Sequence, residues 1–307
     1  MKADGFHILK TTFAKSDNVM VVSETQLKQI QKMLVDVLKD FMSVAQKYHL
    51  SYTLSGGSVL GAIRHQGFIP WDDDIDINMP RRDFEKFSQV FEKELGQRYK
   101  LCAPGILKNH GMSGVSIRRK GTLYRSFNEI TKPKDECGLG LDIFVVENTY
   151  DKPLFRKMHG VICLAMGYLL TCRKNAEDYE WFKPFIKNNA ELKRYVLKKV
   201  RIGKIFRFLP LDYVTKLTIN WYKHCTDDNS KYVTIPSGRN HFFGEMAERE
   251  GFLNSIPAQF EKLIVPIPRD YDLYMQRLYG SSYMTIPPEN EREVHTVVEF
   301  DMGENVN

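Results

Sequence analysis

Four carboxylates fall within five positions, Asp72, Asp73, Asp74 and Asp76, and a Gly-Gly-Ser run, Gly56 to Ser58, precedes them in LSGGSVLGAIRHQGFIPWDDDIDINMPRRDFEKF, residues 54–87. Crowded carboxylates repel one another, and a hard divalent cation relieves that repulsion because Mg2+ prefers carboxylate and phosphate oxygens. On a strand, the period of two sends Asp74 and Asp76 to one face and Ile75 and Ile77 to the other, buried one. Gly56 and Gly57 let the backbone approach a ligand closely, and the helix they open offers N–H groups to phosphate, with Ser58 adding a hydroxyl. A glycine turn at a helix start followed by Asp-x-Asp on the next strand can hold a nucleotide's phosphates against one or two metal ions. The chemistry implied is transfer at phosphorus.

These residues need a scaffold, and the periodicity supplies one. Ser23 and Gln26 have the form of a capping box, and Leu27, Ile30, Leu34, Val37, Leu38, Phe41 and Val44 then recur at helical spacing, predicting a helix from Glu24 to about His49. A strand over Tyr52–Leu54, the glycine turn, a helix over Val59–Arg64 and a strand over Ile75–Met79 follow. A helix over Arg82–Leu95 and strands over Tyr99–Ala103, Gly114–Arg119 and Leu141–Val146 complete an α/β half. From Asp151 to Cys225 helical patterns dominate, with breaks expected near Pro184 and Pro210. The apolar run Val161–Thr171 is about half a bilayer span and reads as a buried helix. Prolines punctuate the tail, which should wrap back over the first half. The division expected is an arm over 1–23, a catalytic core over 24–150, a helical subdomain over 151–226 and a returning segment over 227–307.

Composition narrows the class. The 307 residues are 43% hydrophobic and 27% charged, and 44 Lys and Arg against 38 Asp and Glu leave +6, which describes a folded protein tolerant of anionic partners. Five cysteines without C-x-x-C spacing argue against a disulfide framework or a zinc knuckle and point to a reducing cytoplasm. The first twenty residues interrupt every apolar run with charge, so no signal-peptide core is expected. No nucleic-acid-binding module is evident. Residues 191–209, ELKRYVLKKVRIGKIFRFL, carry seven Lys or Arg against one Glu. They form either an amphipathic helix with a solvated cationic face or one lying at the inner face of an anionic membrane.

The run from GGSVLGAIRHQGFIPWDDDIDI to MPRRDFEKF closely resembles the LicD family of phosphocholine transferases and, more distantly, the fukutin-related proteins. Resemblance extends to GLGLDIFVVE around Asp142 and more loosely to YDLYMQRLYGSSYMTIPPENE, covering about residues 24–300. Asp74 lies seventeen positions after Gly57, because RHQGFIPWDD intervenes, and this spacing favours the LicD branch over other nucleotidyltransferases. The resemblance implies a nucleotidyltransferase-like mixed sheet with a helical insertion, an α/β (α+β) fold. It implies that Asp74 and Asp76 hold Mg2+ or Mn2+, that Asp142 is the third acidic residue of the site, and that CDP-choline is the donor; one of these carboxylates would be the base, with Asp142 the first choice. The acceptor would be a glycan or lipid-linked glycan of teichoic acid or lipopolysaccharide type. Alternation places Asp142 on the face of Phe144, so only the resemblance assigns it to the site.

Other residues stay open between two roles. Asp72 and Asp73 could touch the metal or hydrogen-bond the residues that do. Arg64 could contact an anionic ligand, and Arg81 with Asp83 repeats the family's Arg-x-Asp element; either arginine could be structural. Trp71 could cap a quaternary ammonium or pack in the core. Arg118, Arg119 and Lys120 could meet phosphate or solvent, and Arg292 and His295 could fold over the site. The competing functions are transfer of another CDP-activated phosphoalcohol such as ribitol or glycerol phosphate, a glycosyltransferase with its own Asp-x-Asp, which the Gly-Gly-Ser turn argues against, and a catalytically inactive scaffold.

Overall fold

Ser23 and Gln26 do cap each other: the Gln26 N–H donates to Ser23 Oγ and the Ser23 N–H to Gln26 Oε1. The computed structural model describes residues 20–126, 129, 131–186, 190–292 and 296–303; His295 lies outside them. After β1 (Met20–Val21), helix α1 runs from Glu24 to Lys47 and buries Ile30, Leu34, Val37, Leu38 and Phe41. It ends before His49, whose backbone takes the left-handed conformation at φ 53°. Then come β2 (Thr53–Leu54), α2 (Gly56–His65), β3 (Ile75–Pro80), α3 (Arg81–Leu95), β4 (Tyr99–Cys102), β5 (Val115–Arg119), β6 (Leu123–Arg125) and β7 (Gly140–Asn148). The expected glycine turn before a helix at Val59 is corrected, since Gly56 and Gly57 are themselves the first turn of α2.

The main sheet has the order β2-β3-β7-β5-β4, with β8 (Tyr232–Thr234) added beside the end of β7 and β9 (Ala247–Glu248) beyond it. β3 and β7 are parallel and their neighbours antiparallel, giving a mixed α/β fold. Ile75, Ile77 and Met79 on β3 and Leu141, Ile143 and Val145 on β7 fill the buried face together with α1. This inward row is the alternation visible in the sequence.

A helical layer follows β7: α4 (Pro153–Glu177), α5 (Tyr179–Ile186), α6 (Ala190–Ile205) and α7 (Leu211–Tyr222). Pro184 lies inside α5 instead of ending it, whereas Pro210 caps α7. The reading of Val161–Thr171 as a buried helix is corrected: Cys163 and Leu170 are buried, but Val161, Leu164 and Tyr168 face outward. No described helix is long and apolar enough to cross a membrane.

The last stretch adds α8 (His241–Gly244), α9 (Arg249–Leu253), the hairpin β10 (Ser255–Phe260) and β11 (Leu263–Pro268), α10 (Tyr271–Tyr279), β12 (Thr296–Val297) and β13 (Glu299–Asp301). Its prolines conceal the hairpin from pattern reading, yet Pro257 pairs with Pro266 and Ser255 with Pro268. A two-stranded ribbon tolerates them because each strand needs its N–H groups on one edge only. β13 pairs with β6, and β12 with β1. All five cysteines are buried free thiols.

The Arg-x-Asp element after β3 locks the sheet. Arg81 donates through Nε and Nη2 to Glu147 of β7, whose side chain is 2% exposed. Asp83 is buried and accepts from the Ser51 N–H. Burial raises the Glu147 carboxyl above its usual range, and Arg81 works against that rise. Removing one partner strands a charge in the interior, so Arg81→Ala should cost about 3–5 kcal/mol in urea unfolding, while Arg81→Met with Glu147→Leu should recover most of it. A single-variant loss below about 1 kcal/mol, the value of an exposed pair, would contradict this role.

Candidate active site

The acidic cleft is built where β3, β7 and the start of α2 meet. Asp76 and Asp142 are direct Cα partners across the parallel β3–β7 pair, so both side chains leave the sheet on the face opposite Ile77 and Ile143. The orientation of Asp142, which alternation left open, follows from this register. Asp74 immediately precedes β3, near enough for the Asp76 charge to act on it.

α2 is pinned over the strand by its own first residues. The Ser55 N–H donates to the Asp76 carbonyl at 2.8 Å, and the Asp76 N–H donates to Ser58 Oγ at 2.9 Å. Ser58 is buried, and its hydroxyl here positions the Asp76 backbone. Gly56 has φ +47°, a conformation glycine adopts without penalty. A Cβ at Gly56 would lie 3.7 Å from Asp76 Oδ2, and one at Gly57 only 3.1 Å from Asp72 Oδ2. The glycines thus admit the carboxylates to the positive end of the helix, where anionic groups are favoured.

The carboxylates crowd. Oxygens of Asp72, Asp73 and Asp74 all lie within 4.8 Å of one another. Asp74 is pushed well above the ordinary carboxylate range by desolvation, then by Asp76, Asp72, Asp73 and Asp142. Asp76 is raised likewise by desolvation, then by Asp142 and Asp72, with Arg118 opposing. An all-oxygen donor set that pays electrostatically for its closeness fits a hard divalent cation. Asp74 belongs to both the expected metal set and the tight cluster, while Asp76 and Asp142 flank it and Asp72 joins it.

Arg118 of β5 donates to Asp142 Oδ1 at 2.8 Å and stands 3.7 Å from Glu129. Burial opposes its charge, but Asp142 and Glu129 overcome that and hold it firmly protonated. Asp142 itself keeps 42% of its side chain accessible to the cleft. Desolvation by the surrounding walls raises its carboxyl above the usual range, and Arg118 restrains the rise. Lys120, by contrast, is used on the Gly96 carbonyl.

Several contributors come from far along the chain. The Tyr124 hydroxyl on β6 donates to Asp73, and Phe300 of β13 packs edge-on against the Tyr124 ring. Gln31 of α1 donates to the Asp72 carbonyl at 2.9 Å. From α10, the Tyr274 hydroxyl meets Ser55 Oγ at 3.0 Å and accepts from the Gly56 N–H at 3.2 Å. Burial pushes its phenol up to about 12. Tyr279 brings its hydroxyl to the same glycines, and desolvation, Tyr274 and the carboxylates Asp76, Asp72 and Asp74 raise its pKa. The sequence reading missed both tyrosines; their only signal was the loosely family-like YDLYMQRLYGSSY.

Arg64 donates to the carbonyls of Tyr283 and Thr285 and to His65, strapping the C-terminal segment to α2. The Arg292 guanidinium covers the Trp71 ring at 4.4 Å from its centroid.

Residues 49–153 match the LicD/FKTN/FKRP nucleotidyltransferase-domain family. The lipopolysaccharide cholinephosphotransferase LicD of Haemophilus influenzae is 26% identical over 282 residues, covering 89% of this chain and 97% of that protein. An uncharacterized protein of Rickettsia typhi is 41% identical over 69 residues, 22% of each chain. Another from Rickettsia prowazekii is 39% identical over 77 residues, 22% of this chain and 29% of that protein. The glycines of α2 and the carboxylates Asp72, Asp73, Asp74, Asp76 and Asp142 all fall inside the segment that matches the LicD/FKTN/FKRP nucleotidyltransferase-domain family.

Proposed function

We propose that the chain moves phosphocholine from CDP-choline to a hydroxyl of a cell-surface glycan, of lipopolysaccharide or teichoic acid type, and releases CMP. The observation that carries this reading is the register of Asp76 against Asp142 beneath the glycine start of α2, with Asp74 beside them. Similarity along 89% of the chain to a lipopolysaccharide cholinephosphotransferase supports the choice of donor and acceptor.

Asp74, Asp76 and Asp142, with Asp72 adjoining, would hold Mg2+ or Mn2+. When bound, the cation neutralises the donor's phosphate charge. A donor phosphate would sit beside the N-terminus of α2, where Gly56 and Gly57 bring the Asp76 and Asp72 carboxylates close and Ser58 keeps Asp76 in place. Arg64 adds positive charge on the Tyr279 side. The acceptor oxygen bonds to the phosphorus that bears choline, the bond from that phosphorus to the CMP oxygen breaks, and Asp142 takes the acceptor's proton. Arg118 donates to Asp142 Oδ1 and orients it for that role. Positioning and charge compensation therefore do most of the work.

A CDP-polyol donor is the second reading. Arg292 occupies the face of Trp71, where a quaternary ammonium would otherwise stack. An inactive scaffold would need none of the carboxylates the cleft assembles.

The test is transfer from phosphorus-labelled CDP-choline to lipopolysaccharide with Mg2+. Label should pass to the glycan as CMP appears, and Asp74→Asn or Asp76→Asn should lower the rate by at least about 100-fold. Undiminished turnover in either variant would contradict the assignment. Stability should move the other way. A carboxyl whose folded pKa is raised destabilises the fold at every pH above its unfolded value, so neutralising it removes a cost at pH 7. In EDTA, Asp76→Asn should melt at least about 2 °C above wild type, the shift that about 1 kcal/mol produces in a chain of this size. A lower melting temperature would show that the carboxylate is stabilised in the metal-free fold.

A further inference from the structure

The N-terminal half of α4 carries an apolar face that no part of the described chain covers. Leu154, Phe155, Met158, Val161, Leu164 and Tyr168 recur at three- and four-residue steps, and each is exposed, from 38% at Leu164 to 68% at Leu154. At 1.5 Å per residue the stripe is about 21 Å long. The opposite side of α4 is the packed one: His159 and Cys163 meet the Trp221 carbonyl of α7, and Gly160 abuts Phe242 and Phe243. Past Tyr168 the outer face is taken over by α6, whose Gly203 backs directly onto the Cys172 carbonyl.

Charge says what the stripe faces. No Asp or Glu occurs between Asp151 and Glu177, nor between Glu191 and Asp212. The acidic residues at the far end of α4 are already paired, Glu177 with Arg173 and Asp178 with Lys174. Cations border the stripe along its length. Lys152 stands 6.0 Å from the Phe155 ring, Lys157 is exposed beside it, and Lys199 of α6 lies over the rings of Tyr195 and Tyr168 at 4.4 and 5.9 Å. Beyond that junction α6 continues with exposed Arg201, Lys204 and Ile205, and Phe208 follows. An apolar strip rimmed by Lys and Tyr, with no acidic residue from 152 to 176 and with Asp151 at its start accepting from the Lys231 N–H, has the chemistry of a surface that sinks to headgroup depth in an anionic bilayer while its cations meet the phosphates.

We propose that α4 and α6 together form a docking face for an anionic membrane surface, with Leu154 to Tyr168 entering the lipid boundary and Lys152, Lys157 and Lys199 contacting headgroups. The helices lie on the bilayer and do not cross it. This inference stands on the surface alone and is independent of the donor or acceptor.

The test is co-sedimentation of the full chain with phosphatidylcholine vesicles, with and without 30% phosphatidylglycerol. Wild type should bind the anionic vesicles at least about tenfold more tightly than the neutral ones and lose most of that binding in high salt. A variant with Phe155→Gln, Met158→Gln and Val161→Gln, and another with Lys152→Gln, Lys157→Gln and Lys199→Gln, should each weaken binding by about tenfold or more. Both should keep the wild-type melting temperature because these positions lie at the surface; if the apolar triple variant does not, Met158→Gln alone serves in its place. Equal binding to neutral vesicles, no binding to either, or full binding by the apolar variant would each overturn the proposal. So would a wild-type dimer in solution that the apolar variant dissociates without any vesicle binding, since the face would then serve a second copy of the chain.

Discussion

Holding Asp72, Asp74, Asp76 and Asp142 close together against their mutual repulsion is the constraint that orders this fold. Parallel pairing of β3 with β7 sets Asp76 beside Asp142, and the buried Arg81–Glu147 pair ties the far ends of the same two strands. Repulsion is offset locally rather than abolished. The α2 N-terminus approaches from one side and Arg118 from another, yet the net direction at Asp74, Asp76 and Asp142 remains upward. A site left strained in this way is prepared for a charge it does not itself supply.

Long-range contacts keep the cluster from relaxing. The C-terminal segment returns as β13 behind Tyr124, which holds Asp73, and as α10, whose Tyr274 and Tyr279 close over the glycines. Arg64 fastens that segment to α2 through main-chain carbonyls. Residues more than two hundred positions apart thus share one small volume, and loss of the tail would expose the start of α2 as well as the carboxylates.

Local features were legible in the sequence because local physics determines them. The capping box of α1, the alternation that turns Asp76 away from Ile77, and the glycine approach at Gly56 depend on a few neighbouring residues. What the sequence obscured was non-local. Arg118 reads as a basic strand end open to phosphate or solvent until β5 pairs with β7 and places it on Asp142. Pro257 and Pro266 read as breakers until they face one another in a ribbon. Val161 to Thr171 reads as buried because composition reports apolarity and not which side finds a partner; only the packing of α7 and α6 reveals the uncovered face of α4.

On the function proposed above, the clustered carboxylates and the start of α2 form one metal-dependent site for a CDP-activated donor. Isothermal calorimetry with CDP-choline, CDP-ribitol and CDP-glycerol, each with and without Mg2+, on wild type and Asp76→Asn, tests it most directly. CDP-choline should bind only with Mg2+ present, and that binding should disappear in Asp76→Asn; preference for a polyol would keep the site and change the donor. Binding indifferent to Mg2+ and to Asp76→Asn, or no binding of any of the three, would contradict it.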